Sequence, residues 1–248
     1  MSKIIAIGGG KNGYNDRPYE TKEIDEEIVK QAGIENPNFL FIGFASNDIE
    51  ESYFNVTSEI FSNLNCNTDI LKLNEIAKLK IVKEKIERAN IIYVGGGNTL
   101  KLMTLFNKYK IDILLKKAYL KDTILCGISA GGICWCEYGN SDSRKFTSNN
   151  KNLIKSTGLG FIKILFCPHY NEIHRQENLK HMMKTTQKIP AIAFENGVAL
   201  EVINDSYRFI KSIPNACVYK CYWKSNNYIK EPLEISSNFK SINELYKI

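Results

Sequence analysis

Several features that mark other classes of protein are missing from this sequence. It has no apolar run of about 18 residues, the length that a membrane-spanning helix requires. Its seven cysteines contain no Cys-x-x-Cys pair, and the close pairs Cys134/Cys136 and Cys217/Cys221 have no neighbouring histidine, so no metal site is predicted. The 33 basic residues are scattered among 27 acidic ones without a basic stripe, which argues against nucleic-acid binding.

The composition is that of an ordinary globular protein. Hydrophobic residues make up 44% and charged residues 24% of the 248 residues, which is enough for a large core. No linker divides the chain, so we predict one domain over residues 1–248. A strand pattern follows Met1 directly, without a charged and apolar leader, and the cysteines are expected to be buried free thiols. We therefore expect a soluble, cytoplasmic protein that does not bind membranes and is a monomer or a homodimer.

Strand patterns alternate with helix patterns through the first half of the chain. The strand patterns lie at residues 3–7, 39–44, 69–73, 91–94 and 123–127. This alternation predicts an α/β fold with a mainly parallel sheet and helices on both faces. Ligands of such folds bind at the carboxyl ends of the strands, where the glycine-rich loops that begin at Gly8, Gly95 and Gly127 should meet.

The first two of these loops have more than one interpretation. Residues 8–10 are all glycine but lack the third glycine of the dinucleotide-binding fingerprint, so a structural role is favoured over ligand contact. Residues 95–97 are also all glycine and stand between a strand and a helix, where backbone N–H groups can approach a bound group closely. The same residues could equally form a tight turn with Asn98 or Thr99 as the N-cap of the helix.

The third loop carries the strongest catalytic signal. Residues 127–131 read Gly-Ile-Ser-Ala-Gly, a G-x-S-x-G pattern between a buried strand and the start of a helix. Ser129 would lie on a tight turn at the carboxyl end of the sheet with its hydroxyl exposed. The N–H of Ala130 would lie at a helix N-terminus, where developing negative charge is stabilised.

A serine nucleophile needs a base and usually a residue that orients the base. Of the three histidines, His174 and His181 lie on one face of a predicted helix, whereas His169 ends a predicted strand and should lie at the edge occupied by Ser129. The orienting residue is open between Glu195 and Asn196, which both follow another strand. Glu172 is a third candidate, but it is more typical of an acidic residue at a helix N-terminus.

The second half of the chain is less regular. Residues 139–157 are polar and predict a long excursion that forms a lid or a rim of the site. Antiparallel strands are expected at 199–203, 207–210 and 216–223, joined by turns that contain Asn and Pro. From about residue 225 a polar tail with a short final helix is expected.

Several segments, in this order, resemble the dipeptidase E (aspartyl dipeptidase) family of serine peptidases, which also includes cyanophycinase. The resemblance covers about residues 4–210 and rests on segments 95–99 (Gly-Gly-Gly-Asn-Thr), 127–132 (Gly-Ile-Ser-Ala-Gly-Gly), 158–160 (Gly-Leu-Gly), 168–171 (Pro-His-Tyr-Asn) with Arg175, and 191–200 (Ala-Ile-Ala-Phe-Glu-Asn-Gly-Val-Ala-Leu).

The resemblance implies a three-layer α/β sandwich with a flavodoxin-like core, as in class I glutamine amidotransferases. It implies Ser129 as the nucleophile, His169 as the base, and an oxyanion hole formed by the N–H groups of Gly96 and Ala130. We assign substrate binding to three residues of the matching segments, Asn98, Tyr170 and Arg175. The substrates implied are short peptides, above all dipeptides with an N-terminal aspartate, or an aspartyl-linked polymer for a cyanophycinase-like enzyme. No metal or organic cofactor is implied.

The sequence departs from the family at the third catalytic residue. The family pattern has a glutamate immediately before the glycine of the last segment, where this chain has Asn196, and Glu195 stands one place earlier. We expect Glu195 to orient His169, because an anion stabilises an imidazolium better than a neutral amide does. The departure also leaves an alternative, a binding or regulatory relative that has kept the fold and lost an efficient orienting residue.

Overall fold

The computed structural model describes residues 1–13, 17–46, 50–148, 150, 152–186 and 188–248. Within these ranges the chain forms two β-sheets, one of eight and one of six strands, and a set of helices. The strands are β1 (Lys3–Ile7), β2 (Asn38–Ile42), β3 (Asn67–Leu71), β4 (Ile91–Val94), β5 (Ile124–Ile128), β6 (Cys136–Ser141), β7 (Ile154–Thr157), β8 (Ile162–Cys167), β9 (Ala191–Phe194), β10 (Val198–Ile203), β11 (Ser206–Lys211), β12 (Val218–Lys224), β13 (Asn227–Pro232) and β14 (Lys240–Ser241). The helices are α1 (Lys22–Ala32), α2 (Glu50–Asn63), α3 (Leu79–Arg88), α4 (Thr99–Lys108), α5 (Ile111–Tyr119), α6 (Ala130–Ile133), α7 (Lys145–Ser148), α8 (Ile173–Lys184) and α9 (Ile242–Tyr246).

The larger sheet has the strand order β14-β11-β10-β1-β5-β4-β2-β3. The strands β1, β5, β4, β2 and β3 are mutually parallel, as the alternation of strands and helices predicts. The prediction of a mainly parallel sheet is nevertheless wrong, because β10, β11 and β14 extend this sheet in antiparallel fashion and a second mixed sheet is present. The reason lies in the short turns of the second half, such as Asn204–Asp205 between β10 and β11, which can join only antiparallel neighbours.

The helices of the first half pack on both faces of the parallel strands. Alternate side chains of β2 point to opposite faces: Phe39 and Phe41 pack with α1 and α2, while Leu40 and Ile42 pack with α3, α4 and α5. Each helix supplies a buried apolar stripe, for example Ile24 and Ile28 of α1, and α1 ends at Gly33 in the left-handed conformation with φ 65°. None of the helices in the described ranges is long and apolar enough to cross a membrane.

The smaller sheet has the order β13-β12-β9-β8-β6-β7. It corrects two expectations for the second half of the chain. The polar segment 139–157 is not a free excursion, because its two ends pair as β6 and β7, and residues 142–153 connect them. The expected polar tail contains β13, which pairs with β12 through a turn in which Ser225 and Asn226 have φ of 48° and 64°.

The strand order determines which loops meet. Since β5 lies between β1 and β4, the loops that follow these three strands share one edge, as predicted. Backbone hydrogen bonds join the loops to one another and to the ends of β8 and β9. The Ser129 N–H donates to Ile7 O over 3.0 Å, and the His169 N–H donates to Gly8 O over 3.0 Å. The Gly197 N–H donates to Gly9 O over 2.8 Å, so the loop after β1 ties the two sheets together.

Candidate active site

Ser129 occupies a sharp turn between β5 and α6. Its φ and ψ are 55° and −109°, a conformation that non-glycine residues rarely adopt. The conformation costs free energy, and it persists because the surrounding structure enforces it. The Ser129 carbonyl accepts hydrogen bonds of 2.9 Å from the N–H groups of Gly132 and Ile133, which fixes the first turn of α6. A Cβ atom at Gly131 would lie 1.9 Å from the carbonyl oxygen of Val94, so the last glycine of the G-x-S-x-G pattern allows this turn to pack against β4.

His169 lies against Ser129, but it follows β8 of the smaller sheet, so the expectation that both residues share the edge of one sheet is wrong. Its Nε2 atom is 2.9 Å from Ser129 Oγ, and its Nδ1 atom is 2.8 Å from Asn196 Oδ1. Because an amide oxygen only accepts hydrogen bonds, this arrangement places the proton of the neutral ring on Nδ1 and leaves the lone pair of Nε2 facing the serine hydroxyl. His169 also has a positive φ of 52°, so both residues of the pair are held by strained backbone.

The surroundings of His169 favour its neutral form. Burial lowers the pKa of the imidazole, and the positive charge of Arg175 lowers it further, while the hydrogen bond that the ring donates to Asn196 Oδ1 acts in the opposite direction. A lowered pKa keeps the ring unprotonated near neutral pH, which is the state that a general base requires.

The expectation that Glu195 orients His169 is not met. The Glu195 carboxylate turns towards β12, where its Oε2 atom accepts a 2.9 Å hydrogen bond from the Cys217 N–H. Its Oε1 atom lies 3.5 Å from the Tyr219 hydroxyl. Asn196, the next residue, faces the histidine instead, and its own N–H donates to Asn171 Oδ1 over 3.3 Å. Neighbouring residues at a strand end point in opposite directions, so only one of the two can reach the ring.

The loop after β1 lies directly against the histidine–asparagine pair. A Cβ atom at Gly9 would lie 2.3 Å from Asn196 Oδ1 and 2.4 Å from His169 Nδ1, and Gly9 has a φ of 152°. Only glycine can therefore pass beside the histidine–asparagine pair without displacing it. The glycine triplet at 8–10 is the sequence signal for this contact, and the structural role that was favoured for it is to make room for the histidine–asparagine pair.

The two expected oxyanion donors lie on either side of Ser129. Ala130 is the first residue of α6, so its N–H has no acceptor within the helix. A Cβ atom at Gly96 would lie 3.5 Å from Ser129 Cβ, which places this glycine beside the nucleophile. The Gly96 N–H points to the hydroxyl of Tyr53 at 3.3 Å. Tyr53 comes from α2 and belongs to no sequence motif, and for this reason it was missed.

A cavity of about 290 Å³ opens beside Ser129 and His169. The residues that line it are Gly10, Tyr53, Gly96, Gly97, Ile128, Ser129, Asp142, Lys145, Phe146 and His169. Three of them, Asp142, Lys145 and Phe146, come from the connection between β6 and β7, so part of the polar segment 139–157 contributes a wall of the site. The Asp142 carboxylate pairs with the Lys145 ammonium group and, over 3.3 Å, with Arg175 Nη2.

The three residues expected to bind substrate are engaged elsewhere, and none of them lines the described part of this cavity. Asn98 is the N-cap of α4, and its side chain accepts a hydrogen bond of 3.1 Å from the Lys101 N–H. Tyr170 is buried in a cluster between the smaller sheet and α8. The Arg175 guanidinium is 3% exposed and contacts Glu172, Asp142 and the carbonyl oxygen of Asn140. Its contact with the lining of the cavity is the ion pair with Asp142.

Comparison with known proteins gives the family. The sequence profile of peptidase family S51 matches residues 4–210, and the chain belongs to this family.

Among the described residues, no group of three or more histidine, cysteine, aspartate or glutamate side chains is placed to hold a metal ion.

Individual relatives agree with this assignment. The uncharacterised peptidase YgaJ of Bacillus subtilis (strain 168) is 31% identical over 237 residues, which is 95% of this chain and 98% of the relative. Peptidase E of Shewanella denitrificans is 23% identical over 84% of this chain and 88% of the relative. The crystal structure of a peptidase from an acI-B1 actinobacterium superposes with a TM-score of 0.69 over 97% of each chain, at 17% identity. At that identity the likeness concerns the fold.

Proposed function

We propose that this protein is a serine peptidase that hydrolyses short peptides, with Ser129 as the nucleophile, His169 as the general base and Asn196 as the residue that orients the base. The observation that carries the proposal is the pair of contacts made by one imidazole, 2.9 Å to Ser129 Oγ and 2.8 Å to Asn196 Oδ1. A serine hydroxyl, a base within hydrogen-bond reach and a third group behind the base form the arrangement that activates a serine nucleophile. Membership of a peptidase family supports this chemistry.

The reaction follows from these positions. His169 Nε2 takes the proton of Ser129 Oγ, the oxygen attacks the scissile carbonyl carbon, and the carbonyl oxygen becomes an anion. The N–H groups of Ala130 and Gly96 would stabilise this anion, with each such donor contributing about 3 kcal/mol. The imidazolium then gives its proton to the leaving amine and the C–N bond breaks. Water, deprotonated by the same histidine, attacks the acyl-enzyme and releases the acid.

The cavity supports a short substrate. Its volume of about 290 Å³, bounded on one side by Asp142, Lys145 and Phe146, leaves room for a short peptide only. The Lys145 side chain is 48% exposed and brings a positive charge to this wall. We propose a dipeptide with an N-terminal aspartate as the substrate, which is the specificity that the family resemblance implies. The alternative within the same chemistry is a cyanophycinase-like peptidase, which acts on an aspartyl-linked polymer.

The proposal extends to the expectations that accompany it. The parallel strands with helices on both faces support a flavodoxin-like three-layer sandwich for the larger sheet. One apolar cluster contains residues of both sheets, which supports a single domain over 1–248. All seven cysteines are free thiols and six are buried, which supports a cytoplasmic location. We propose a monomer or a homodimer that binds neither nucleic acid nor membranes.

A second candidate function is favoured by one observation. The residue behind His169 is a neutral amide, which stabilises an imidazolium less well than a carboxylate does. The alternative is therefore a binding or regulatory protein of the same fold, in which Ser129 does not act as a nucleophile.

A panel of dipeptides and a fluorophosphonate probe separate the two functions. We expect the wild type to cleave aspartyl dipeptides in preference to neutral ones and to β-aspartyl-arginine, and the probe to label Ser129. Ser129→Ala should abolish both, whereas Ser62→Ala, which changes an exposed serine of α2, should leave both unchanged. If folded wild type neither cleaves any dipeptide nor reacts with the probe, the peptidase proposal is wrong and the binding function stands.

A further inference from the structure

A second, smaller cavity lies directly behind the active-site cavity. Its volume is about 180 Å³, and it shares the lining residues Gly10, Tyr53 and Ile128 with the cavity beside Ser129. Ile128 is the residue before the nucleophile. The two cavities therefore adjoin at the base of the nucleophile turn, on the face of the larger sheet that is covered by α1 and α2.

This inner cavity is lined by a buried carboxylate that the proposed reaction does not use. Asp25 of α1 is 2% exposed. Its Oδ2 atom accepts hydrogen bonds from Thr21 Oγ1 over 2.8 Å and from the Tyr19 hydroxyl over 3.1 Å. Its Oδ1 atom is buried and has no hydrogen-bond partner among the described residues. Burial raises the pKa of this carboxyl group to about 7.

A buried carboxylate with a free oxygen is costly unless a complementary group binds it. Leaving such an acceptor unsatisfied costs free energy that a cationic hydrogen-bond donor would recover, since charge-assisted hydrogen bonds are the strong ones. The two cations that line the same cavity, Lys11 and Arg17, are both exposed, and neither forms an ion pair with Asp25 in the described part of the chain. Among the described residues, Asp25 Oδ1 is thus left as an acceptor for a group that enters this cavity.

We propose that Asp25 binds an ammonium group of the substrate, on the acyl side of the cleaved bond, while Ser129 attacks the carbonyl carbon. The inference rests on the peptidase function proposed above and assigns to that site its specificity for a charged amine. Two groups have this chemistry, the α-ammonium group of the first residue and the side-chain ammonium group of a lysine. The small inner cavity accepts such a group but not a continuing polypeptide, so it would select short substrates that begin at the cleaved residue.

Asp25→Asn tests the role, because the amide keeps the size of the side chain and its oxygen can still accept from Thr21 and Tyr19. The substrates are aspartyl-leucine and its N-acetyl derivative, together with lysyl-leucine acetylated on either its α-nitrogen or its Nζ. We expect the wild type to prefer the free amine, and Asp25→Asn to reduce kcat/KM for it by about 10- to 100-fold without changing the rate for the acetylated form. The two lysyl derivatives each keep one ammonium group, so they show which of the two is bound. A loss of kcat/KM in Asp25→Asn for either derivative supports the inference.

Two results would overturn the inference. One is a wild-type enzyme that cleaves free and acetylated dipeptides equally well, which needs no variant and so stands even if Asp25→Asn fails to fold. The other is an Asp25→Asn enzyme that loses the same factor on both substrates, because this would mean a structural role. Hydrolysis of p-nitrophenyl acetate, which carries no amine, is the control: if it depends on Ser129 and survives in Asp25→Asn, the peptidase proposal holds whatever happens to the amine selectivity.

Discussion

Asn196 Oδ1 accepts the Nδ1 proton of His169 over 2.8 Å, so a neutral amide stands behind the base of this site. The amide fixes the tautomer and the orientation of the ring but adds no charge to stabilise the imidazolium that forms during the reaction. Replacing Asn196 by aspartate would supply that charge in nearly the same volume. We expect Asn196→Asp to raise the pKa of His169 and to increase kcat by about 10-fold or more at pH 8.

The matched variant is Asn196→Ala, which removes the contact and should lower kcat by about 10- to 100-fold. Steady-state kinetics on the best dipeptide, with NMR titration of the His169 ring, would measure both effects. A decrease of kcat in Asn196→Asp together with an unchanged imidazole pKa would contradict the assigned role.

Glu195 is predicted to matter for stability and not for catalysis. Its carboxylate accepts a hydrogen bond from the Cys217 N–H at 2.9 Å and so joins the end of β9 to the segment before β12. Glu195→Ala should lower the free energy of unfolding by about 1.5–3 kcal/mol, the usual loss for a hydrogen bond to a charged group, and should leave kcat/KM within a factor of about 3. Urea unfolding and dipeptide hydrolysis test this in one protein preparation. A large loss of kcat without loss of stability would return Glu195 to the catalytic site.

The choice between these two neighbours shows what could not be predicted from the sequence. The bounds of β1 and β4 follow from local patterns. The meeting of Ser129 with His169 was expected at one sheet edge, but the two residues follow strands of different sheets, and the loop after β1 brings them together. Which of residues 195 and 196 faces the histidine depends on the pairing of β9 with β12, in which Phe194 lies opposite Val218. That register joins segments more than 20 residues apart and leaves no local signature.

The same limit explains the residues that were missed. Tyr53 and Asp25 lie on helices remote in sequence from Ser129, and each is an ordinary residue in its own helix pattern. Their positions along the two adjoining cavities result from α1 and α2 packing on the same face of the sheet. Conversely, Asn98 and Arg175 belong to segments that resemble the family, but their side chains support the loop before α4 and the connection after β6. Sequence resemblance located the segments correctly and did not give the orientation of each side chain.

The acid limb of the pH–rate profile should report the ionisation of the His169 imidazole. Because burial and the Arg175 charge lower the pKa of the imidazole, the base remains neutral to lower pH than a free histidine does. We therefore expect kcat/KM for p-nitrophenyl acetate, which has no ammonium group for Asp25 to bind, to be constant near pH 7 and above. It should fall on acidification with a midpoint below about 6.5, the usual pKa of histidine. A midpoint clearly above that value would mean that the ring has a net stabilising partner for its charged form. The Asn196→Asp variant is the internal comparison, since its midpoint should move upwards.

Tyr53 is predicted to assist the oxyanion. Its hydroxyl oxygen lies 3.3 Å from the Gly96 nitrogen, and because that oxygen accepts the N–H, its own proton is free to point into the cavity. Tyr53→Phe should lower kcat by about 10-fold or more with little change in KM, as expected for a donor that acts mainly in the transition state. Tyr109→Phe, at a partly buried tyrosine after α4 that lines neither cavity, is a suitable control for general effects on packing. An unchanged or higher kcat in Tyr53→Phe would mean that the hydroxyl merely occupies the Gly96 donor and has to leave before substrate binds.

The buried carboxylate of Asp25 should make the free protein less stable as the pH rises. Burial raises its pKa to about 7 in the folded state, with the adjacent Glu26 acting in the same direction and the hydrogen bonds from Thr21 and Tyr19 acting against it. An unfolded chain releases this proton near pH 4 and the folded protein keeps it, so the free energy of unfolding should fall by up to about 1.4 kcal/mol per pH unit between about pH 4 and pH 7.

Asp25→Asn should remove this slope and be more stable than the wild type at pH 8, whereas Asp205→Asn, at an exposed turn, should keep the wild-type slope. Urea unfolding of the three proteins at pH 5, 6, 7 and 8 measures the difference. If the slopes of wild type and Asp25→Asn coincide, the carboxyl group is ionised as easily in the folded protein as in water. A dipeptide that binds through its ammonium group should stabilise the wild type most where Asp25 is ionised, since the charge that opposes folding is then paired.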